Sequence, residues 1–295
     1  MLNKDVLSQK FKDFLANLSI DNQEVIANKL RKIVRNINQD YWNTKSDTRN
    51  VHYIGSYGRG TAIKGINNIN VMIVLPPKVF QHFDAYQGNG QMALMQELRD
   101  YIGDIYSGTY IHSQERLLVP LNGITFEIIP AFLNDKKNYV YPELEGGGRW
   151  KVFNPIREMQ TVDEYNYKYN GKVKHLARMM RAWRNTYDAP ISGMLLDTLV
   201  LSFIDEWEYN HTSYAYYGNM TRDFLEYMAG LRKDRLHWYA KGSNRKITSL
   251  EDFGFKANIA YEQAEKALDY ENQGDSHNAN TYWKQIYGKF FPADY

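Results

Sequence analysis

A glycine-serine turn followed by an apolar run sets the strongest limit on how this chain can fold. Residues 55–75 read GSYGRGTAIKGINNINVMIVL, and the closing segment NVMIVL shows no alternation of polar and apolar residues. Such a strand is buried on both faces, so the sheet that contains it must be covered on each side. Asn68 and Asn70 stand two residues apart at its start. Their side chains should therefore project to the same face.

The apolar pattern divides the chain into a mixed first half and a helical second half. Helical spacing predicts helices over residues 2–18, 21–42 and 91–106. Two further strands, ERLLVPL and ITFEIIPAF, flank an Asn-Gly turn signal. From about residue 156, apolar residues recur with the helical period through five segments.

The segment PELEGGGRWKVFNP, rich in glycine and proline, lies where the pattern changes. We therefore expect a core domain with the N-terminal helices over residues 1–155 and a helical domain over residues 156–295. The predicted fold class is α+β, with the long second helix as the spine of the first domain.

Composition excludes several classes of protein. The 295 residues include 36 basic and 34 acidic side chains, so a net charge of +2 gives no general attraction to nucleic acid or membranes. Cysteine is absent, which excludes disulfides, thiolate zinc sites and thiol catalysis. No window approaches the roughly 18 apolar residues of a membrane span, and the N-terminus lacks a signal-peptide core. We expect a cytoplasmic protein.

The glycine-serine turn has the chemistry of a phosphate site. Gly55 lets the backbone approach a ligand, while free amides and the Ser56 hydroxyl can hold phosphate oxygen atoms. The turn, the pair at 68 and 70, and Glu127 on a later strand form the layout that two-metal phosphoryl transfer needs. A plain turn, and a structural salt bridge of Glu127, remain the alternative interpretations.

The order of these parts resembles the polymerase-β-like nucleotidyltransferases. Their usual form is a glycine-serine turn, a short helix, Asp-x-Asp and a third carboxylate, where this chain has GSYGRGTAI, Asn68 with Asn70, and FEIIPAF. Later segments are similar to the bacterial cGAS/DncV-like nucleotidyltransferases (CD-NTases), namely WKVFNP, GKVKHLARMMRAWR, APISGMLLDTLV and ENQGDSHNANTYWKQIYGKFFP. The resemblance covers nearly the whole chain. It implies a mixed sheet, a helical domain and an active site in the cleft between two lobes.

The resemblance also implies an activity. CD-NTases join NTPs without a template and cyclise the linear product, a second messenger in anti-phage defence that a separate effector senses. By this resemblance the chain acts as a monomer that needs neither a membrane nor a long nucleic acid. A cyclic dinucleotide is the favoured product and guanine the favoured base. Asn166, Asn170 and Tyr165 are unranked candidates for base contacts.

The roles of individual residues follow from the same resemblance. Gly55 and Ser56 would hold the triphosphate, and positions 68, 70 and 127 would bind two Mg²⁺ ions, with Mn²⁺ as an alternative. Lys174 and Ser192 would grip the triphosphate from the helical domain. A solvated helix lysine and a helix-capping serine are the alternatives for these two.

Asn68 and Asn70 depart from the family at the metal ligands. Exchanging two carboxylates for amides removes two negative charges from between two divalent ions, which prefer charged oxygen ligands. If the metals supply ~4 kcal/mol of transition-state stabilisation, their loss slows the reaction about a thousandfold. We therefore expect this chain to be nearly inactive.

Two histories explain the amides: a natural pseudoenzyme that only binds nucleotides, or an engineered inactive form of a synthase. Relaxed selection would also have changed the neighbouring positions, whereas the other expected site residues all stand, namely Ser56, Arg59, Thr61, Glu127, Lys174 and Ser192. The pattern favours engineering. A transferase that modifies a small molecule, a protein or an RNA end is a further alternative.

Overall fold

The computed structural model describes residues 2–112, 116–232 and 234–293. The α-helices are α1 (Lys4–Asn17), α2 (Gln23–Trp42), α3 (Gly55–Gly58), α4 (Pro77–Asp84), α5 (Gly90–Ile105), α6 (Pro155–Lys168), α7 (Lys172–Tyr187), α8 (Gly193–Glu206), α9 (Tyr217–Ala229), α10 (Gly254–Gln273) and α11 (Ser276–Tyr287). Short 3₁₀ turns cover Glu145–Gly147, Tyr214–Tyr216 and Gly288–Phe290. The strands are β1 (Val51–Tyr53), β2 (Asn68–Val74), β3 (Tyr110–His112), β4 (Arg116–Leu121), β5 (Ile124–Leu133), β6 (Tyr139–Glu143), β7 (Arg149–Phe153), β8 (His237–Tyr239) and β9 (Lys246–Thr248).

The chain groups into two compact units. The sheet unit contains Asp21–Gly58 and Gly65–Met159, and the helical unit contains Met1–Ile20, Arg59–Lys64 and Gln160–Tyr295. This grouping differs from the expected division into residues 1–155 and 156–295, because helix α1 and the six-residue segment Arg59–Lys64 belong with the helices.

The sheet unit is built on one mixed sheet. Along its main path the described strands run in the order β1-β2-β5-β4-β3, and β6 joins β5 to β7. Strands β2 and β5 are parallel, whereas β4 and β5 form the antiparallel hairpin that the Asn-Gly turn predicts. The predicted buried strand is confirmed, since Val71, Met72 and Ile73 are at most 3% exposed. The strand predicted to begin at residue 115 is described from Arg116 onward, and residue 115 lies outside the described residues.

The helices predicted for the first half are confirmed to within two residues at each end, as α1, α2 and α5. Sequence reasoning missed α4, strands β1 and β3, the hairpin of β6 and β7, and the paired strands β8 and β9 in the half predicted to be helical. Clustered glycine and proline made that hairpin look like a boundary. Its turn uses the positive φ angles of Gly146, Gly147 and Gly148, a conformation that glycine adopts without steric cost.

Aromatic side chains explain why α1 belongs to the helical unit. Phe11 and Phe14 are at most 1% exposed; Phe11 meets the Trp283 ring edge-on at 5.7 Å, and Phe14 lies 4.4 Å from the ring of Tyr287. Burying each such side chain stabilises a fold by about 1.5–3 kcal/mol, so packing against the helical unit stabilises α1. None of the helices within the described ranges is both long and apolar enough to cross a membrane.

Candidate active site

The glycine-serine turn is anchored directly on strand β2. Gly55 begins the single-turn helix α3 with φ +65°, and a Cβ there would come within 3.1 Å of the Cβ of Asn70. The backbone N–H of Ile54 donates to the carbonyl oxygen of Asn70 at 2.9 Å. Glycine is therefore required both by the backbone conformation and by the close approach of the turn to the strand.

Strand register brings Asn70 and Glu127 side by side. Strands β2 and β5 run parallel with Asn70 opposite Glu127 and Asn68 opposite Thr125. Neighbouring strands lie about 4.8 Å apart and residues two apart share a face, so all three predicted positions point to one side of the sheet. Asn68 is exposed, while Asn70 and Glu127 are half-buried. The sheet unit thus gathers Gly55, Ser56 and these three positions, as the sequence predicts.

Arg116 also reaches this group, and sequence reasoning missed it. Its Nη1 donates to Asn70 Oδ1 at 2.9 Å and forms an ion pair with the Glu127 carboxylate. Leu118 pairs with Glu127 in the β4–β5 hairpin. Arg116 stands two residues before Leu118, so its side chain projects to the same face of the sheet as that of Glu127. The register that follows from the Asn-Gly turn was a signal that could have found it.

The residues present do not fit two magnesium ions. Glu127 is the one carboxylate among the three expected ligands, and the Arg116 guanidinium already neutralises it. Within the described part of the chain, no group of three or more acidic, histidine or cysteine side chains could hold a metal ion. Two divalent ions about 4 Å apart need several charged oxygen ligands, which two amides and one paired carboxylate do not supply.

Lys174 and Ser192 lie in the helical unit, and both have protein partners there. Lys174 Nζ forms an ion pair with Asp163 Oδ1 at 2.6 Å, and a Cβ on Gly60 would stand 3.2 Å from the same nitrogen. Ser192 caps α8, since its Oγ accepts a hydrogen bond from the backbone N–H of Leu195 at 3.2 Å. The cap uses an oxygen lone pair, so the hydroxyl proton can still be donated to a ligand.

A row of cations extends from Lys174 along one side of α7. Arg178 and Arg181 follow at helical spacing. Arg181 pairs with buried Asp197, whereas the Nε–H of Arg178 donates to the neutral carbonyl oxygen of Gly60 at 3.0 Å. Burial, and then the nearby charge of Arg181, lower the pKa of Arg178. A half-buried cation hydrogen-bonded to a neutral group suits an anionic ligand such as a polyphosphate.

The three candidates for base contacts cluster where α6 meets α7, and each has a structural role there. Asn166 Oδ1 accepts the backbone N–H of Lys174 at 2.9 Å. Asn170 adopts a left-handed conformation with φ +50°, and the Tyr165 hydroxyl lies 3.4 Å from Lys241 Nζ. Their roles in base choice stay predictions.

Comparison with protein families decides what this chain is related to. Residues 6–166 match the Second Messenger Oligonucleotide or Dinucleotide Synthetase domain, SMODS, which is more than half of the chain. The chain belongs to the SMODS family.

A probable cyclic nucleotide synthase of Bacillus cereus (strain VD146) is 28% identical over 182 residues, 57% of this chain and 52% of that protein. A cyclic AMP-AMP-AMP synthase of Acinetobacter sp. (strain ATCC 27244 / 9458) is 24% identical over 193 residues, 59% of this chain and 52% of that protein. The SMODS chain spans about half the length of these curated relatives.

Solved CD-NTase structures share its fold. CdnC of E. coli MS115-1 with ATP superposes with a TM-score of 0.66 at 14% identity, over 97% of this chain and 99% of that one. DncV of Vibrio cholerae, a cyclic AMP-GMP synthase, gives 0.63 at 10% identity over 98% and 88%. A DncV mutant with alanine in place of two aspartates two positions apart gives 0.60 at 10% identity, again over 98% and 88%. At such identities the likeness shows the fold alone, and it confirms the α+β class; the SMODS match supports the CD-NTase resemblance.

Proposed function

We propose that this SMODS chain is a catalytically silent form of a synthase that joins NTPs without a template into a cyclic di- or oligonucleotide. One observation carries the proposal. The positions that hold metal ligands in the family face the same side of adjacent strands beside the phosphate turn, and two of them are amides. An arrangement for phosphoryl transfer is thus retained while two of its charges are missing.

The proposal assigns separate tasks to the two units. In the sheet unit, Gly55 and Ser56 bind phosphate oxygen atoms, and positions 68, 70 and 127 mark the place of catalysis. In the helical unit, Lys174 and Ser192 bind the triphosphate, the first by charge and the second through its hydroxyl proton. The proposed cofactor of the Asn68→Asp, Asn70→Asp form is Mg²⁺, with Mn²⁺ as an alternative. No catalytic step is assigned to the chain with its present amides.

The biological setting belongs to the same proposal. Its substrates are NTPs in the cytoplasm, the chain acts as a monomer, and a separate effector senses the product in anti-phage defence. The names of the relatives, which are cyclic nucleotide synthases, support the part of this proposal that concerns NTP substrates. Engineered inactivation is the favoured origin of the amides, because the other expected site residues are all retained.

The decisive experiment restores both carboxylates. Asn68→Asp with Asn70→Asp should give pyrophosphate release that depends on Mg²⁺ or Mn²⁺, at least about a thousandfold faster than the present chain. Each single substitution is the matched control and should recover less. A phosphatase-resistant product made from NTPs alone identifies cyclisation, whereas a product that needs an added acceptor identifies another transferase. No release with any of the four NTPs and either metal would refute the proposal.

A natural nucleotide-binding pseudoenzyme is the second candidate. The ion pair of Arg116 with Glu127 favours it, because a chain that no longer binds metals needs another charge to balance the carboxylate. Turnover by the double substitution separates the two candidates. An active double variant shows that the other parts of a synthase are intact, whereas an inactive variant that still binds NTPs supports the pseudoenzyme.

A further inference from the structure

Arg116 places a positive charge where the metal-binding positions of the family meet. Its Nη1 lies 2.9 Å from Asn70 Oδ1 and contacts the carboxylate of Glu127 at the same time. Both contacts come from a residue on β4, the neighbour of β5. One guanidinium nitrogen thus joins two of the three positions that would otherwise share divalent ions.

The charge balance of this group differs from that of a metal site. Asn68 and Asn70 are neutral, and Glu127 is offset by Arg116, so the four side chains carry no net charge. Three carboxylates would repel a triphosphate strongly, since like charges 4 Å apart near a protein surface interact by about 4 kcal/mol each. Metals are needed in that case to let the phosphates approach. In the present chain this repulsion is absent.

Exposure leaves the guanidinium accessible to a ligand. The Arg116 side chain is 32% exposed, whereas that of Glu127 is 15% exposed. A guanidinium carries five N–H donors in a planar fork, a geometry that matches phosphate oxygen atoms. The turn of Gly55 approaches Asn70 closely, so the phosphate turn and Arg116 both adjoin the same residue.

We propose that Arg116 takes the place of the divalent ions in binding, so that the sheet unit of this chain holds the phosphates of an NTP without metal. The inference rests on the proposed function for its ligand class. It goes beyond that function by replacing the metal requirement of the family with a residue of the chain. It concerns binding by the chain as it stands and requires no turnover.

The first test measures nucleotide binding with and without metal. Calorimetry with each of the four NTPs and with inorganic tripolyphosphate should give dissociation constants in EDTA within about threefold of those in Mg²⁺, a difference below ~1 kcal/mol. Arg116→Gln should weaken binding in EDTA about tenfold, or ~1.4 kcal/mol. Arg149→Gln is the matched control, because it removes an arginine that pairs with Glu143 on the β6–β7 hairpin of the same unit. Binding by Arg149→Gln should be unchanged.

Glu127→Gln gives the sharper contrast. If Glu127 served metal binding, losing its charge would weaken NTP binding in Mg²⁺. If Arg116 is the binding group, the same substitution releases the guanidinium from its carboxylate and should tighten binding in EDTA severalfold. The proposal is overturned if no probe binds in EDTA, if Arg116→Gln binds as well as the parent chain, or if Glu127→Gln weakens binding. If any of these results is found and the Asn68→Asp, Asn70→Asp form still converts NTPs, this inference fails while the proposed function stands.

Discussion

Asp197 in α8 organises the centre of the helical unit, and its replacement by Asn tests how that unit is assembled. The Asp197 side chain is 2% exposed and accepts hydrogen bonds from Arg59 Nε at 2.8 Å, Thr61 Oγ1 at 3.0 Å and Arg181 Nη1 at 2.7 Å. Arg59 and Thr61 belong to the segment that directly follows the phosphate turn. A single carboxylate therefore fixes that segment to α7 and α8.

The expected cost follows from this burial. Asp197→Asn keeps the size of the side chain but leaves two arginines, each at most 5% exposed, without their counter-ion. Removing one partner of a buried ion pair costs about 3–5 kcal/mol. We therefore expect the free energy of unfolding of the helical unit to fall by about 4 kcal/mol at neutral pH.

Urea unfolding followed by tryptophan fluorescence measures this loss, because the helical unit contains Trp183, Trp207, Trp238 and Trp283. With an m-value of about 3 kcal/mol per molar urea, the midpoint should fall by roughly 1.3 M. Asp163→Asn is the control; its side chain is 60% exposed, and the midpoint should hardly move. A shift below about 0.3 M for Asp197→Asn would refute the reasoning.

The effect of Asp197→Asn on stability should also depend on pH. Burial by itself raises the pKa of Asp197, but Arg181 and Arg59 outweigh it and hold the pKa below the usual range. Because the pKa in the folded chain lies below that in the unfolded chain, this stabilisation is complete above about pH 4 and is lost as the pH falls further. The difference between the parent chain and Asp197→Asn should accordingly shrink in acid.

Three further predictions concern other groups of the helical unit. Burial raises the pKa of Glu271 to about 7, so the native state binds its proton more tightly than the unfolded state, and stability falls as the pH rises from 4.5 through 7. Glu271→Gln should therefore be more stable than the parent chain at pH 8, by up to about 3 kcal/mol, and should melt at a higher temperature. Near pH 4 the two melting temperatures should be the same. Equal melting temperatures at pH 8 would contradict this assignment. Ser192→Asp retains a good N-cap for α8 but adds a negative charge, so it should preserve the melting temperature and weaken NTP binding about tenfold. Ser192→Ala removes the cap and should lower the free energy of unfolding by about 1 kcal/mol. Arg178→Gln removes a cation that burial and Arg181 disfavour, so calorimetry should show weaker NTP binding with stability changed by less than about 1 kcal/mol; unaltered affinity would exclude Arg178 from the phosphate site.

Local sequence patterns were sufficient to predict most elements of the fold. Helices α1, α2 and α5 carry apolar stripes at the helical period, and β2 is a continuous apolar run. The missed β6–β7 hairpin shows the limit, because its glycine-rich turn has the composition of a linker. Assigning α1 to the helical unit was also out of reach, since Phe11 and Phe14 contact Trp283 and Tyr287, which lie more than 260 residues away in the chain.

The candidate site shows the same division. The sequence by itself determined that Asn68 and Asn70 share a face beside a phosphate turn, because period-two alternation is a local property of a strand. It also determined that their two negative charges are missing, because this is a matter of composition. Only the tertiary structure decided that Glu127 stands opposite Asn70 and that Arg116 reaches both, because strand pairing joins residues distant in the chain and a shift of one residue reverses every side chain. Long-range register therefore determines which charges meet at this site, and here it brings a guanidinium to the place of a metal ion.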